Sequence, residues 1–212
     1  MAAGVAHELN NPLSVIAGRA QLLAQTESDG QKRHVLDMIG ENAREASGIV
    51  DELMSFAQPD PPRPAKIGIR QVLSEAVELA GQKIGSEPIN VQVRVAEDAR
   101  EVLVDSAQVV SAVANVIANS VESYADALGP VKITAEPAGS GVRLQISDLG
   151  NGMDPDTLRK ATYPFFSVKP AGRKRGMGLA YTARLIHLNG GSLTIESHRD
   201  RGTTVTITLP CA

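Results

Sequence analysis

The chain has 212 residues, a formal net charge of -3 at pH 7, 42% hydrophobic residues and 21% charged residues. This is room for one large or two modest domains of ordinary soluble composition. The slight acidity excludes a general nucleic-acid-binding polyelectrolyte, and nothing approaches the roughly 18 uninterrupted apolar residues of a membrane span.

No secretory signal is visible. One cysteine, Cys211, and four scattered histidines exclude a disulfide framework and a thiolate or zinc cluster. The expected setting is therefore cytoplasmic, with no nucleic acid and no direct membrane contact. Tryptophan is absent and aromatic residues make up only 3%, so aliphatic side chains must fill the core.

Residues 1–57 read as two helices. Val5, Leu9, Leu13, Ile16, Ala20 and Leu23 recur at three- and four-residue steps, the pattern of an amphipathic helix. Val35, Ile39, Asn42, Ala46, Ile49, Leu53 and Phe56 alternate steps of four and three, the period of a bundle seam. Thr26 to Gly30 is a turn of cap and breaker residues, which makes the two arms antiparallel neighbours. A single hairpin cannot bury such a stripe, so a homodimeric four-helix bundle is expected, with Asn42 as a polar register point. The alternative is a hairpin packed on the second half of its own chain.

Near the start of the first helix lies His7-Glu8-Leu9-Asn10-Asn11-Pro12-Leu13. It sets an imidazole beside a carboxylate and, one turn on, the carboxamide of Asn11 on the same face. Such residues are poor core material and suit an exposed, activatable histidine nucleophile. Pro12 lacks an N–H and clashes with the carbonyl of Glu8, so a loosened helix is expected one turn after His7. Only six residues precede His7, which points to a chain that continues N-terminally, where a membrane anchor would lie. His34, at the start of the second helix, reads as a surface residue.

Gln58 to Pro64 holds four prolines in seven residues, an extended spacer that stops the second helix. The expected division is 1–57 for the helical hairpin, 58–65 for the linker and 66–212 for a second domain. There the pattern becomes mixed. Ile69–Ile84 reads as a helix, 90–95 and 101–104 as strands, and Asp105–Leu128 as a long helix capped by Asp105 or Ser106. Residues 131–136 and 142–147 alternate as strands around Gly139-Ser140-Gly141. A helix over 177–189, in which His187 reads as a packed side chain, precedes a final hairpin of 192–197 and 203–209. The whole is an α+β protein: an N-terminal antiparallel helical hairpin, then an α/β sandwich with a mixed sheet and helices on one face.

Three segments carry chemistry. Asn115 and Asn119 share a face of the long helix. Their oxygens suit Mg²⁺ carrying a nucleotide phosphate, although a pair of satisfied core amides would look the same. Asp148-Leu149-Gly150-Asn151-Gly152 follows a strand directly. The aspartate can accept from a purine amine and the glycines admit close backbone approach, but turns and calcium loops use the same residues. Gly172-Arg173-Lys174-Arg175-Gly176-Met177-Gly178-Leu179 opens a helix, where free N–H groups and the helix dipole form an anion cradle. Lys169, Arg173, Lys174 and Arg175 place four positive charges within seven residues there, a solvated face or an attraction for a triphosphate.

In their order, the asparagine pair, DxGxG, Phe165-Phe166, the basic segment and GxGL resemble the ATP-binding domain of sensor histidine kinases, within the gyrase and heat-shock chaperone ATPase superfamily. HELNNPL resembles the phosphoacceptor box of the same kinases. The resemblance implies a two-component kinase core that uses ATP and Mg²⁺ and forms a homodimer. It makes His7 the phosphorylated residue, Glu8 its acid–base partner and Asn11 the residue that orients water in dephosphorylation of the partner, a response-regulator receiver domain. It assigns Mg²⁺ to Asn119, phosphate or metal support to Asn115, and the adenine amine to Asp148. Gly150 and Gly152 would shape the adenine pocket, Gly176, Gly178 and Leu179 would line the phosphates, and Lys169 would be a lid contact. Two departures stand out. Lys174 and Arg175 replace a glycine and a small hydroxyl residue of the family's lid, and Leu149 replaces a polar residue.

Hydrolytic members of that superfamily carry a glutamate one turn before the magnesium-binding asparagine, where it activates water. Asn115 stands there in this chain, and a carboxamide is no general base at neutral pH. Imidazole, which titrates near about 6.5, is a nucleophile at neutrality. The expected function is an ATP-dependent protein-histidine kinase that autophosphorylates His7. It then passes phosphate to a receiver aspartate and also acts as that regulator's phosphatase. The alternative is a nucleotide-binding regulatory or phosphotransfer protein without autokinase activity.

Overall fold

A computed structural model describes residues 2–85, 89–98, 101–124, 129–168 and 176–212. The chain forms two compact units, Met1–Asp60 and Pro61–Ala212. In the first, α1 (Ala2–Thr26) and α2 (Gly30–Ala57) pair as a hairpin. Asp29 caps α2, its carboxylate accepting from the amides of Gln31 and Lys32 and so satisfying donors a helix start leaves open. Small residues make the close approach between the arms, with Ala20, Ala24, Gly40 and Ala43 buried.

The larger aliphatic residues of the seam face outward. Leu9, Ile16, Leu23, Val35, Ile39, Ile49 and Leu53 are all exposed. The stripe is thus mostly left outside the α1–α2 contact, as expected of a single hairpin, with Ala20 buried and Leu13, Ala46 and Phe56 half-buried. Asn42 is also turned within its own helix, donating to the carbonyl of Met38. Helix α1 runs continuously from Ala2 to Thr26 with Pro12 inside it, so the missing N–H does not divide it.

The second unit is a sandwich. After β1 (Ala65–Gly68) come α3 (Ile69–Ile84), β2 (Val91–Val95), β3 (Glu101–Val104) and α4 (Ser106–Val121). They are followed by β4 (Val131–Ala138), β5 (Gly141–Ser147), α5 (Pro155–Lys160), α6 (Gly178–Leu188), β6 (Ser192–His198) and β7 (Gly202–Pro210). The main sheet has the order β2-β4-β5-β7-β6, and β1 pairs with β3 in a small second sheet. Strands β2 and β4 are parallel and the other pairs of the main sheet antiparallel. A parallel neighbour requires a crossover, and β3 and α4 lie within it.

Strand periodicity decides which side of the sheet is covered. Val131, Ile133 and Ala135 of β4, Val142, Leu144 and Ile146 of β5, and Val205, Ile207 and Leu209 of β7 are buried in one cluster. Lys132, Glu136, Arg143 and Gln145, at the alternate positions, are exposed. The helices fill the covered face with Val72, Leu73 and Ala76 from α3, Val109, Val113, Val116 and Ile117 from α4, and Leu185 and Ile186 from α6. The core is aliphatic, and helices lie on one face of a mixed sheet.

Several expectations are corrected. The long helix ends at Val121 rather than Leu128 (residues 125–128 lie outside the described residues). Its last amides tighten onto Ala118 and Ser120, and Tyr124 is tied by its hydroxyl to the carbonyl of Pro130. Strand β1 starts at Ala65, the last residue assigned to the linker, and α5 was not foreseen. That short helix is capped by Asp154, which accepts from Asp156 and Thr157; the bonds from Thr157 hold its carboxyl below the ordinary carboxylate range. His187 is exposed, because α6 turns Leu185 and Ile186 inward instead.

Leu144 is fully buried between sheet and helices. Leu144→Ala is expected to cost about 2–5 kcal/mol of unfolding free energy in urea denaturation, whereas exposed Leu103→Ala stays within about 0.5 kcal/mol.

Candidate nucleotide site and phosphoacceptor helix

The second unit's site is built around Asp148, at the end of β5 and buried to 5% exposure. Its Oδ1 accepts from the Ser123 hydroxyl at 3.0 Å, the Gly150 amide at 3.0 Å and the Thr203 amide at 3.2 Å. These donors come from the turn after α4, the loop after β5 and the start of β7. Burying a carboxylate is costly unless donors replace its water, and three converge on one oxygen. Among the described residues Oδ2 takes no hydrogen bond, so one oxygen is anchored and the other is open to a donor such as a purine amine.

The glycines follow from packing. A Cβ on Gly150 would fall 1.9 Å from the Ser123 hydroxyl oxygen. Gly152 has φ +60° and a Cβ there would lie 2.0 Å from the carbonyl oxygen of His198. Both are therefore required for the loop to lie flat against its neighbours. Tyr124 adds a support, its hydroxyl accepting from the Leu149 amide at 2.7 Å.

Asn119 and Asn115 lie one and two turns back along α4, both half-buried. Asn119 faces the N-terminus of α6, where a Cβ on Gly178 would be 3.8 Å from its Nδ2. Helix α6 begins after Met177 without a side-chain cap, which leaves its first N–H groups for an anion. Gly176 has φ +69°, and a Cβ there would reach 2.3 Å from the carbonyl oxygen of Phe166; Leu179 packs partly buried against the core. Asn115 Oδ1 accepts from Nζ of Lys83, on the last turn of α3, at 2.5 Å. Lys169 and the run Gly172, Arg173, Lys174 and Arg175 lie outside the described residues.

Asp148 and Gly150 thus gather with Ser123 and Thr203, Asn119 lies near Gly178, and Asn115 meets Lys83. Sequence reading missed Ser123, Thr203, Tyr124 and Lys83. Ser123 and Tyr124 fall inside what reads as continuing helix, Thr203 acts through its amide, and Lys83 looks like any helix-terminal cation. Among the described residues no three His, Cys, Asp or Glu side chains are grouped to hold a metal. A half-buried carboxamide such as Asn119 has the oxygen chemistry to be one ligand of an ion that brings phosphate oxygens with it, as Mg²⁺ does.

In the first unit His7, Glu8 and Asn11 are all exposed on α1. Asn10, between them, is tied to α2: its Nδ2 donates to Asp51 at 2.7 Å and its Oδ1 accepts from the Ser47 hydroxyl at 2.8 Å. The arms are thus fastened one turn from the imidazole while the imidazole itself faces solvent.

This fold and site define a nucleotide-binding sandwich joined to a histidine-bearing hairpin. Residues 104–212 match the family model of histidine kinase-, DNA gyrase B- and HSP90-like ATPases, and the chain belongs to that family. Residues 1–62 match the His Kinase A (phospho-acceptor) domain, so the chain joins a histidine-kinase phosphoacceptor domain to an ATP-binding domain.

It is similar to sensor histidine kinase ZraS of Escherichia coli (strain K12), 28% identical over 211 residues, which are 99% of this chain and 45% of that protein. The chain thus spans less than half the length of that relative. In fold it is similar to full-length ShkA crystallised with AMPPNP (TM-score 0.79, 23% identity, covering 100% of this chain and 45% of that one). It is also similar to histidine kinase ThkA in complex with response regulator protein TrrA (TM-score 0.68, 21% identity, covering 99% of this chain and 60% of that one). No helix of the described residues is long and apolar enough to cross a membrane.

Gly152→Ala is expected to lower stability by at least about 2 kcal/mol, from left-handed strain and backbone overlap, and to weaken nucleotide binding with it. Gly178→Ala, which has room for the methyl group, keeps the parent's urea midpoint.

Proposed function

We propose that the chain is the kinase core of a two-component sensor, phosphorylating its own His7 from ATP and handing the phosphoryl group to an aspartate of a receiver domain. In this reading residues 1–57 dimerise and carry the phosphoryl group, 58–65 link, and 66–212 bind ATP. The observation that carries it is Asn115: the position one turn before Asn119 holds an amide engaged by Lys83, not a carboxylate. An amide cannot draw a proton from water, so the terminal phosphate needs an acceptor from elsewhere, and among the exposed imidazoles His7 is the one with a carboxylate, Glu8, beside it.

In the transfer a His7 ring nitrogen forms a bond to the γ-phosphorus as the bond to the ADP oxygen breaks, and Glu8 takes or holds the proton on the other nitrogen. Asp148 holds the adenine amine, Gly150 and Gly152 shape the pocket around it, and Gly176, Gly178 and Leu179 flank the phosphates with Lys169. Asn119 is the ligand for Mg²⁺, which would neutralise charge on the phosphates when bound. The outward aliphatic stripe of the hairpin supports a homodimer, because one hairpin leaves it in water. Exposed Asn11, one turn from His7, supports a water-orienting role in removing phosphate from the receiver domain.

With γ-labelled ATP the parent is expected to gain acid-labile, alkali-stable label, and His7→Gln none. Nucleotide binding without label in the parent overturns the kinase reading in favour of a regulatory ATP-binding protein. Asn11→Ala is expected to label as the parent does yet to remove phosphate from a receiver domain at least about tenfold more slowly; an unchanged rate removes Asn11 from that role.

A further inference from the structure

The order of groups along α4 gives the nucleotide a direction. Ser123, just past its C-terminus, touches Asp148, Asn119 faces the start of α6, and Asn115 meets Lys83. From Ser123 to Asn115 is two turns, roughly 12 Å at about 1.5 Å per residue. That is on the order of the length of an extended nucleoside triphosphate. With the amine end at Asp148, the α6 N-terminus meets the middle of the chain of phosphates, and the last phosphate falls beside Asn115 and Lys83.

The contact between these two residues is chemically one-sided. An ammonium group only donates, so at 2.5 Å from Asn115 it requires the amide oxygen on its side and turns Nδ2 the other way. An amide held like this offers a donor, not a metal ligand. The two asparagines therefore differ: Asn115 has its oxygen engaged and its N–H₂ available to an anion, while among the described residues no hydrogen bond fixes the Asn119 amide, which can turn its oxygen to a cation. A donor pair of Lys Nζ and Asn Nδ2, beyond the position of the metal ligand, is matched to a terminal phosphate.

We propose that Lys83 binds the terminal phosphate of the nucleotide and sets the Asn115 amide to donate to the same group. This rests on the ATP site argued above and adds to it a residue from α3 that distinguishes triphosphate from diphosphate.

The test is the affinity of the full chain for ATP and for ADP with Mg²⁺, each by displacement of a fluorescent nucleotide analogue. Lys83→Met is expected to weaken ATP about tenfold and ADP less than about twofold, the loss of one charge-assisted contact. Lys83→Arg keeps most of the preference for ATP. In an Asn115→Ala background, Lys83→Met still weakens ATP several-fold, because the ammonium meets the phosphate itself. Equal effects on both nucleotides, or none, would make Lys83 a helix-end cation and overturn the proposal while leaving the ATP site intact. A parent that binds neither nucleotide overturns the site and the proposal together.

Discussion

The second unit depends on one buried oxygen. Asp148 Oδ1 collects a hydroxyl and two amides from segments far apart in sequence. A carboxylate in an aliphatic core would otherwise raise the free energy of the fold, so those donors must arrive together. Satisfying them fixes where α4 ends, how the loop after β5 turns and where β7 begins. The glycines are consequences of the same constraint. Gly150 lies under Ser123, and Gly202 under the carbonyl of Asp148, where a Cβ would fall 2.0 Å away. One oxygen is committed to architecture, and the other is thereby aimed outward with little freedom, the preorganisation that selective recognition needs.

The first unit follows an opposite rule. Its internal contact uses alanines and a glycine, which let two helices approach closely but bury little apolar area per residue. Its long aliphatic residues are turned to the outside. The hairpin alone therefore gains little from its internal contact, and in the proposed homodimer a second copy would cover the stripe. The polar bridge of Asn10 to Ser47 and Asp51 has a separate effect. It fixes one arm against the other beside His7 by directional bonds, where small apolar residues would allow sliding.

Much of this was legible in the sequence because it is periodic. Val131 to Ala135 and Val142 to Ile146 alternate strictly, so both strands and their buried faces follow from a period of two. The helices at 69–84 and 177–189 likewise follow from their apolar spacing. Asp148, Gly150 and Gly152 stood out only through their order with the asparagine pair and GxGL, since turns and calcium loops use the same residues. What was not legible depended on partners distant in the chain. The end of α4 at Val121 is set by Tyr124 reaching Pro130 and Leu149. The heptad-like spacing of Val35 to Phe56 correctly marks an apolar face but cannot say which helix will cover it. Asn42 donates within its own helix to the Met38 carbonyl, a contact its place in the repeat does not reveal.

The two units complement one another chemically. A nucleotide site that bound a triphosphate beside a carboxylate at position 115 would tend to spend it on water. An amide there, with its oxygen drawn to Lys83, is no base and offers a donor, so in the proposed site the terminal phosphate would be held but not attacked. In the proposed kinase, retention of that kind is useful only if a better nucleophile is brought from elsewhere, and His7, exposed beside Glu8, is the group assigned that part. In the proposed reaction, the amide at position 115 and the exposed imidazole of His7 answer a single requirement: the phosphoryl group has to survive until the intended acceptor arrives.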